Sequence, residues 1–116
     1  MKLSDLIIQA LKAHAVTSPN SEVCGFVYRD RYVPLLNISG DSCSFHADPR
    51  QLAQVLAAYG EPEGIFHTHP GGNLQPSARD RSQFYYPGST MIVGGDFHGE
   101  FCLNLVQCPV YGHGGD

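Results

Sequence analysis

The stretch Gly64-Ile65-Phe66-His67-Thr68-His69-Pro70, followed by a Gly/Asn/Pro loop from Gly71 to Pro76 and then by Ser77-Ala78-Arg79-Asp80, decides how this chain is read. The apolar lead-in Ile65-Phe66 marks a strand. Residues two apart on a strand project from one face, so His67 and His69 present their imidazoles together. Asp80 returns after the loop on a short helix predicted over 76–84. Two imidazoles and a carboxylate are the protein ligands of a catalytic zinc site whose fourth position stays open for water. Glu22, heading the apolar segment Glu22-Val23-Cys24-Gly25-Phe26, is a spare carboxylate that could take that water's proton.

Helical and strand periods alternate around this centre. Leu3, Leu6, Ile7, Ala10, Leu11 and His14 recur at three- and four-residue intervals, which predicts a helix over 3–15 with one buried stripe, started by Ser4 and Asp5. Ser18-Pro19-Asn20 breaks it. Strands are expected over 22–28 and 32–37, joined by a turn at Arg29-Asp30-Arg31. A short strand is expected over 44–46. A second helix opens at Asp48-Pro49, where proline is tolerated, runs through Leu52, Val55, Leu56 and Tyr59, and stops at Gly60. After the histidine strand, 64–69, come strands over 89–93 and 100–106, separated by Gly94-Gly95-Asp96-Phe97-His98-Gly99. The interleaving predicts a mixed α/β (α+β) sandwich around one central sheet.

The order Glu…His-Thr-His-Pro…Pro-Ser-x-x-Asp resembles the JAMM (MPN-plus) zinc metallopeptidases, and the likeness extends from about Ser21 to Asp96. It implies a single domain over 1–110 with a curved mixed sheet flanked by helices, similar to the cytidine deaminase fold. It implies one zinc ion per chain, held by His67, His69 and Asp80, with Glu22 as proton shuttle and Ser77 as donor to the developing oxyanion. The implied reaction is hydrolysis of an amide or isopeptide bond. The compact layout, the short Gly-Gly loop and the Ser-Ala-Arg-Asp-Arg run are similar to the amino-terminal domain of lambda-type phage tail-assembly proteins. That likeness points to a role in tail assembly or on cell-wall peptide. The alternative is an isopeptidase that processes a ubiquitin-like or sulfur-carrier protein. A third possibility is an inactive scaffold on the same fold, although the ligand set here is complete.

Each piece also has a plainer reading. Ser77-x-x-Asp80 is the pattern of a helix capping box. Glu22 at a strand start could be a solvated edge residue. His14 falls on the helix stripe and reads as a core or boundary residue, and His46 as a capping or loop residue. His98 and His113 lie in glycine-rich stretches and read as exposed. Thr68 points to the face opposite the two histidines. Gly71-Gly72 is too short to cradle a phosphate and reads as a rim of the cleft, and Tyr85-Tyr86 as packing.

Composition narrows the partners. The chain has 116 residues, 42% hydrophobic and 16% charged, which suits one globular domain. Its net charge of −4 and lack of a Lys/Arg cluster argue against nucleic acid or an anionic membrane as partner. The expected partner is a protein or peptide substrate. Apolar runs are too short for a membrane span, and the N-terminus lacks a signal-peptide pattern, so a cytoplasmic location, the host's if phage-encoded, is expected. Cys24, Cys43, Cys102 and Cys108 form no Cys-x-x-Cys pair, which argues against a structural zinc site. Residues 111–116 show no core pattern and read as a flexible tail or the start of a linker.

Overall fold

The computed structural model describes residues 1–39, 46–70, 73–83 and 87–109. The elements in chain order are α1 (Asp5–Thr17), β1 (Cys24–Val27), β2 (Tyr32–Leu35), α2 (Pro49–Tyr59), β3 (Gly64–Thr68), α3 (Ala78–Gln83), β4 (Thr90–Phe97) and β5 (Glu100–Gln107). The strands form one sheet in the order β2-β1-β3-β4-β5. Only β3 and β4 run parallel; the other neighbours are antiparallel. The histidine strand is therefore central, and the expected mixed sheet with flanking helices is what forms.

Each helix covers one face of the sheet. Ile7 and Leu11 of α1 are buried with Val23, Val27, Phe66 and Ile92. On the other face, Val55 and Leu52 of α2 pack with Cys24, Phe26, Leu35, Met91 and Val93. Strand alternation sorts these two sets without exception. Ser4 caps α1, its Oγ accepting from the Ile7 N–H at 3.2 Å. Leu6, expected in the buried stripe, is 78% exposed: the stripe through Ile7 and Leu11 faces the sheet, and Leu6 lies about 100° around the helix from Ile7. Asp48 caps α2 through the Arg50 N–H at 3.0 Å, and Gly60 ends it at φ 77°, as its sequence signals predicted.

The β4–β5 hairpin is tighter than expected. Gly94 to Phe97 belong to β4, and only His98 and Gly99, at φ 53° and 83°, form the turn. Positive φ at both central residues is the mirror-image turn that suits the twist of paired strands. Gly94 looks like a loop residue in sequence, but it is a strand position that must lack a side chain: a Cβ there would stand 2.6 Å from the Phe66 ring. Likewise a Cβ on Gly25 would collide with the Tyr32 ring and hydroxyl. Of the predicted strand at 44–46, only His46 is described, and it lies in a loop, its N–H donating to Asn37 Oδ1 at 3.1 Å. Gly71-Gly72, Phe84, Tyr85-Tyr86, His113 and the tail lie outside the described residues. Among the described residues, no helix is long and apolar enough to cross a membrane.

His14 is a boundary residue with a partner, its Nδ1 lying 2.6 Å from the Tyr32 hydroxyl. Burial lowers its pKa, and burial raises that of Tyr32, so the phenol donates and the neutral imidazole accepts. The unfolded state then binds a proton that the folded state resists, and stability declines as pH falls below about 6.5. In His14→Gln the amide oxygen can still accept from the phenol but does not titrate. The slope of melting temperature against pH between about 6.5 and 5 is therefore expected to be shallower in this variant than in the parent; identical slopes would remove His14 from the acid response.

Candidate metal centre

The site stands at the carboxyl end of β3, where the chain leaves the sheet to reach α3. The register carries a single row across one face: Leu35, Cys24, His67, Val93 and Asn104, one from each strand. His67 is fully buried in that row. Two residues on, His69 extends the strand by donating its N–H to the Gly94 carbonyl at 2.9 Å. Thr68, between them, faces the α1 side, where its hydroxyl accepts the Val23 N–H at 2.9 Å. The placement of Thr68 on the face opposite the two histidines is therefore as expected.

Asp80 arrives from the first turn of α3. Ser77 caps that helix in a reciprocal box: Ser77 Oγ accepts the Asp80 N–H at 3.1 Å, and Asp80 Oδ2 accepts the Ser77 N–H at 2.9 Å. The same oxygen lies 2.7 Å from His69 Nε2 and 3.2 Å from His67 Nε2. The two imidazole rings stand with centroids 5.1 Å apart. The capping box read from Ser77-x-x-Asp80 is thus formed, and the same carboxylate stands beside both histidines in a group that could hold a metal ion.

This donor set fits a metal ion. One ligand atom from each of His67, His69 and Asp80 lies within 4.8 Å of the others. Both ring nitrogens of His69 face acceptors, Nδ1 the Asn73 carbonyl at 2.5 Å and Nε2 the Asp80 carboxylate. A histidine between two acceptors needs positive charge at one of them, supplied by a second ring proton or by a metal. With Nδ1–H fixed on a carbonyl, the lone pair of Nε2 is aimed at the carboxylate, the usual way a protein orients a ligating imidazole. Burial lowers the pKa of His67 and keeps that ring neutral, as a ligand must be, against the opposing pull of Asp80. Burial alone would raise the carboxyl of Asp80, but the hydrogen bonds from His67 and from the Ser77 backbone outweigh it and hold the carboxyl well below its ordinary range.

Glu22 sits outside that three-residue group. Cys24 pairs with His67, and the strands continue to touch at Val23 and Thr68, so one further step of the register brings Glu22 level with His69 on the histidine face. Its backbone is tied in place by the Asn37 amide, which donates to the Glu22 carbonyl at 3.2 Å. Cys24 is buried, and burial together with the Glu22 charge raises its pKa, so its thiol stays protonated. That fits the expectation of a small hydrophobe better than a nucleophile. Two surface clefts approach this region. One of about 740 Å³ is bordered by Lys12, His69, Pro70, Asp96 and Glu100, and one of about 490 Å³ by His14, Ser21, Glu22 and Asn37.

Two contributors escaped the sequence reading. Asn73 acts through its backbone carbonyl, which no residue type announces. Asn104 donates its amide to the Leu74 carbonyl at 2.8 Å. Its signal was available: one polar residue inside the apolar run Phe101-Cys102-Leu103-Asn104-Leu105-Val106.

A five-stranded mixed sheet with the His-x-His pair at a strand end and an aspartate on the following helix defines a JAB/MPN-type domain. Residues 5–106 match the family described as prokaryotic homologs of the JAB domain, and the chain belongs to that family. A relative from Haloferax volcanii named desampylase is 28% identical, the match covering 77% of this chain and 73% of the relative. The solution structure of a protein from Desulfitobacterium hafniense superimposes with a TM-score of 0.70 at 26% identity, covering 88% of this chain and 80% of that one. One from Salinibacter ruber, at 22% identity and a TM-score of 0.55, covers 90% and 80% and shares the fold. Together the family and the desampylase support an isopeptidase-like hydrolase.

Because the ligand atoms come from three residues, deleting one should empty the site. His69→Ala is expected to lose nearly all the metal that the parent protein takes up, measured by mass spectrometry after reconstitution. Equal metal content in the two proteins would show that the ion is held elsewhere.

Proposed function

We propose that the chain is a zinc-dependent isopeptidase that releases a ubiquitin-like modifier or sulfur-carrier protein from an amide-linked conjugate, working in the cytoplasm. The observation that carries this reading is the convergence of two imidazole nitrogens and one carboxylate oxygen at the carboxyl end of β3. The relative named desampylase supports the choice of a conjugated protein as substrate. The tail-assembly and cell-wall reading draws only on the compact layout, the Gly-Gly loop and the Ser-Ala-Arg-Asp-Arg run, so the desampylase likeness takes precedence.

His67 and His69 would bind the metal through Nε2 and Asp80 through Oδ2. Among divalent ions, two imidazoles and a carboxylate with an open position suit zinc. When bound, the ion supplies a Lewis acid that lowers the pKa of a water to about 7. Glu22 would be the group that accepts a proton from a water held at the site and hands it to the leaving amine. Ser77 Oγ already accepts the Asp80 N–H, yet it keeps its own proton for the oxyanion that develops on the scissile carbonyl. Asp80 stays ionised throughout, because its hydrogen bonds and neighbouring rings hold its carboxyl low.

The test is turnover of ubiquitin-like conjugates by the zinc-loaded protein, with linear peptides and cell-wall peptides alongside. Glu22→Gln should keep one equivalent of zinc and lose activity by roughly 10²–10⁴-fold, the usual worth of a positioned proton shuttle. Turnover at the parent rate would remove Glu22 from the mechanism. Ser77→Ala should keep the metal and slow turnover by about 10²–10³-fold, as for loss of one oxyanion donor; an unchanged rate would leave Ser77 as a helix cap only. Cleavage of cell-wall peptides in preference to conjugates would overturn the proposed substrate.

A further inference from the structure

We infer that Asn104, on strand β5, is a positioning residue for the metal centre and sets its affinity through the loop that orients His69. The inference rests on the reading of His67, His69 and Asp80 as a metal site.

Asn104 occupies the same sheet row as His67, with only Val93 between them. Its side chain is part-buried on the histidine face and donates to the Leu74 carbonyl at 2.8 Å. Leu74 itself packs against the core cluster that contains Cys24, Met91 and Val93. The residue before it, Asn73, offers its carbonyl to His69 Nδ1 at 2.5 Å. Asn73 is held in turn by its own Oδ1, which accepts the Gln75 N–H at 3.0 Å. A chain of contacts therefore runs from the sheet to the ligand: Asn104 amide, Leu74 carbonyl, Asn73 carbonyl, His69 ring.

This chain does work that nothing else described near the site does. Residues 73–75 form no helix or strand, so no backbone ladder holds them. Their anchors are the Leu74 side chain in the core, the Asn73 turn and the Asn104 amide. The Asn73 carbonyl fixes both the tautomer and the tilt of the His69 ring, and so the direction in which Nε2 points. His69 needs such help more than His67. Its side chain is 15% exposed, whereas His67 has none exposed and is clamped by packing. An outer partner that fixes a ligating imidazole typically contributes 10- to 100-fold in metal affinity. A part-buried amide on the core-facing side of a strand is costly unless it is satisfied, which favours keeping the Asn104 bond to Leu74.

The experiment compares the parent protein with Asn104→Asp, which keeps the shape but replaces the amide donor with a carboxylate facing a carbonyl. Zinc affinity is measured by chelator competition on the apo-protein, and cobalt(II) substitution reports ligand geometry through its visible spectrum. The expected result is a 10- to 100-fold weaker zinc affinity and an altered cobalt spectrum, beyond whatever fall in the apo-protein melting temperature the lost hydrogen bond brings. A purely structural role for Asn104 would lower the apo melting temperature and leave the cobalt spectrum unchanged. Asn73→Ala removes the turn's Oδ1 while keeping the carbonyl and leaves the sheet intact, so it tests the same chain if Asn104→Asp does not fold; it should weaken zinc binding in the same direction. If the parent binds zinc tightly and both variants bind it equally well with the parent's cobalt spectrum, the inference is overturned while the metal site stands. If the parent binds neither ion, the metal-site reading falls and takes the inference with it.

Discussion

Everything at this site depends on a single oxygen atom, Oδ2 of Asp80. It accepts the Ser77 N–H and stands within 3.2 Å of both His67 Nε2 and His69 Nε2. Two neutral imidazoles cannot both satisfy a carboxylate while one of them also spends its only proton on the Asn73 carbonyl. The geometry calls for positive charge among the three groups, and the surroundings exclude most sources. His67 is buried and resists protonation, and none of the lysine or arginine side chains described stands in an ion pair with Asp80. A divalent ion held by His67, His69 and Asp80 would resolve that deficit, as would a second proton on the His69 ring.

The topology explains why this oxygen can be there. β3 and β4 are the only parallel neighbours in the sheet, and parallel neighbours cannot be joined by a tight turn. The chain must leave β3 at its carboxyl end, cross the sheet and return, and α3 lies on that crossing. The two histidines are the last residues before departure and Asp80 is on the first turn of the crossing helix. This is also where open sheets with parallel strands commonly place their ligands. α1 and α2 take no part in the ligand set. They bury the two faces of the sheet that carries the row from Leu35 to Asn104.

The candidate ligand group was legible in the sequence because its convergence depends on short-range geometry. Same-face projection of His67 and His69 follows from strand period alone, and Ser77-x-x-Asp80 follows from a helix start. The elements carried clear punctuation where caps form: Ser4, Asp48 and Gly60 all do what their types predict. Reading failed where long-range packing overrode local signals. Gly94 and Gly95 look like a loop, yet they are strand positions, Gly94 being small because the Phe66 ring occupies the space of its Cβ. Leu6 satisfies the helical period but falls outside the buried stripe. The Asn104-Leu74-Asn73-His69 chain was invisible for a different reason: two of its links are backbone carbonyls, and its ends lie 35 residues apart in sequence (104 less 69).

Glu22 shows how far pairing register can carry a functional argument. It belongs to no regular strand residue pair, and it is separate from the three-residue ligand group. Its place follows from the antiparallel alignment of β1 with β3, which sets Cys24 against His67; carried on through the Val23–Thr68 contacts, that alignment puts Glu22 level with His69. Facing residues on antiparallel strands share a side of the sheet. A one-residue slip would instead turn Glu22 toward α1 and bring Val23 to the histidine side. Two features oppose that slip. Thr68 locks Val23 on the α1 side through its hydroxyl, and the Tyr32 ring fills the space over Gly25 that a side chain would need. Both lie on the face away from the metal ligands, so the back of the sheet fixes which carboxylate the front of the sheet receives.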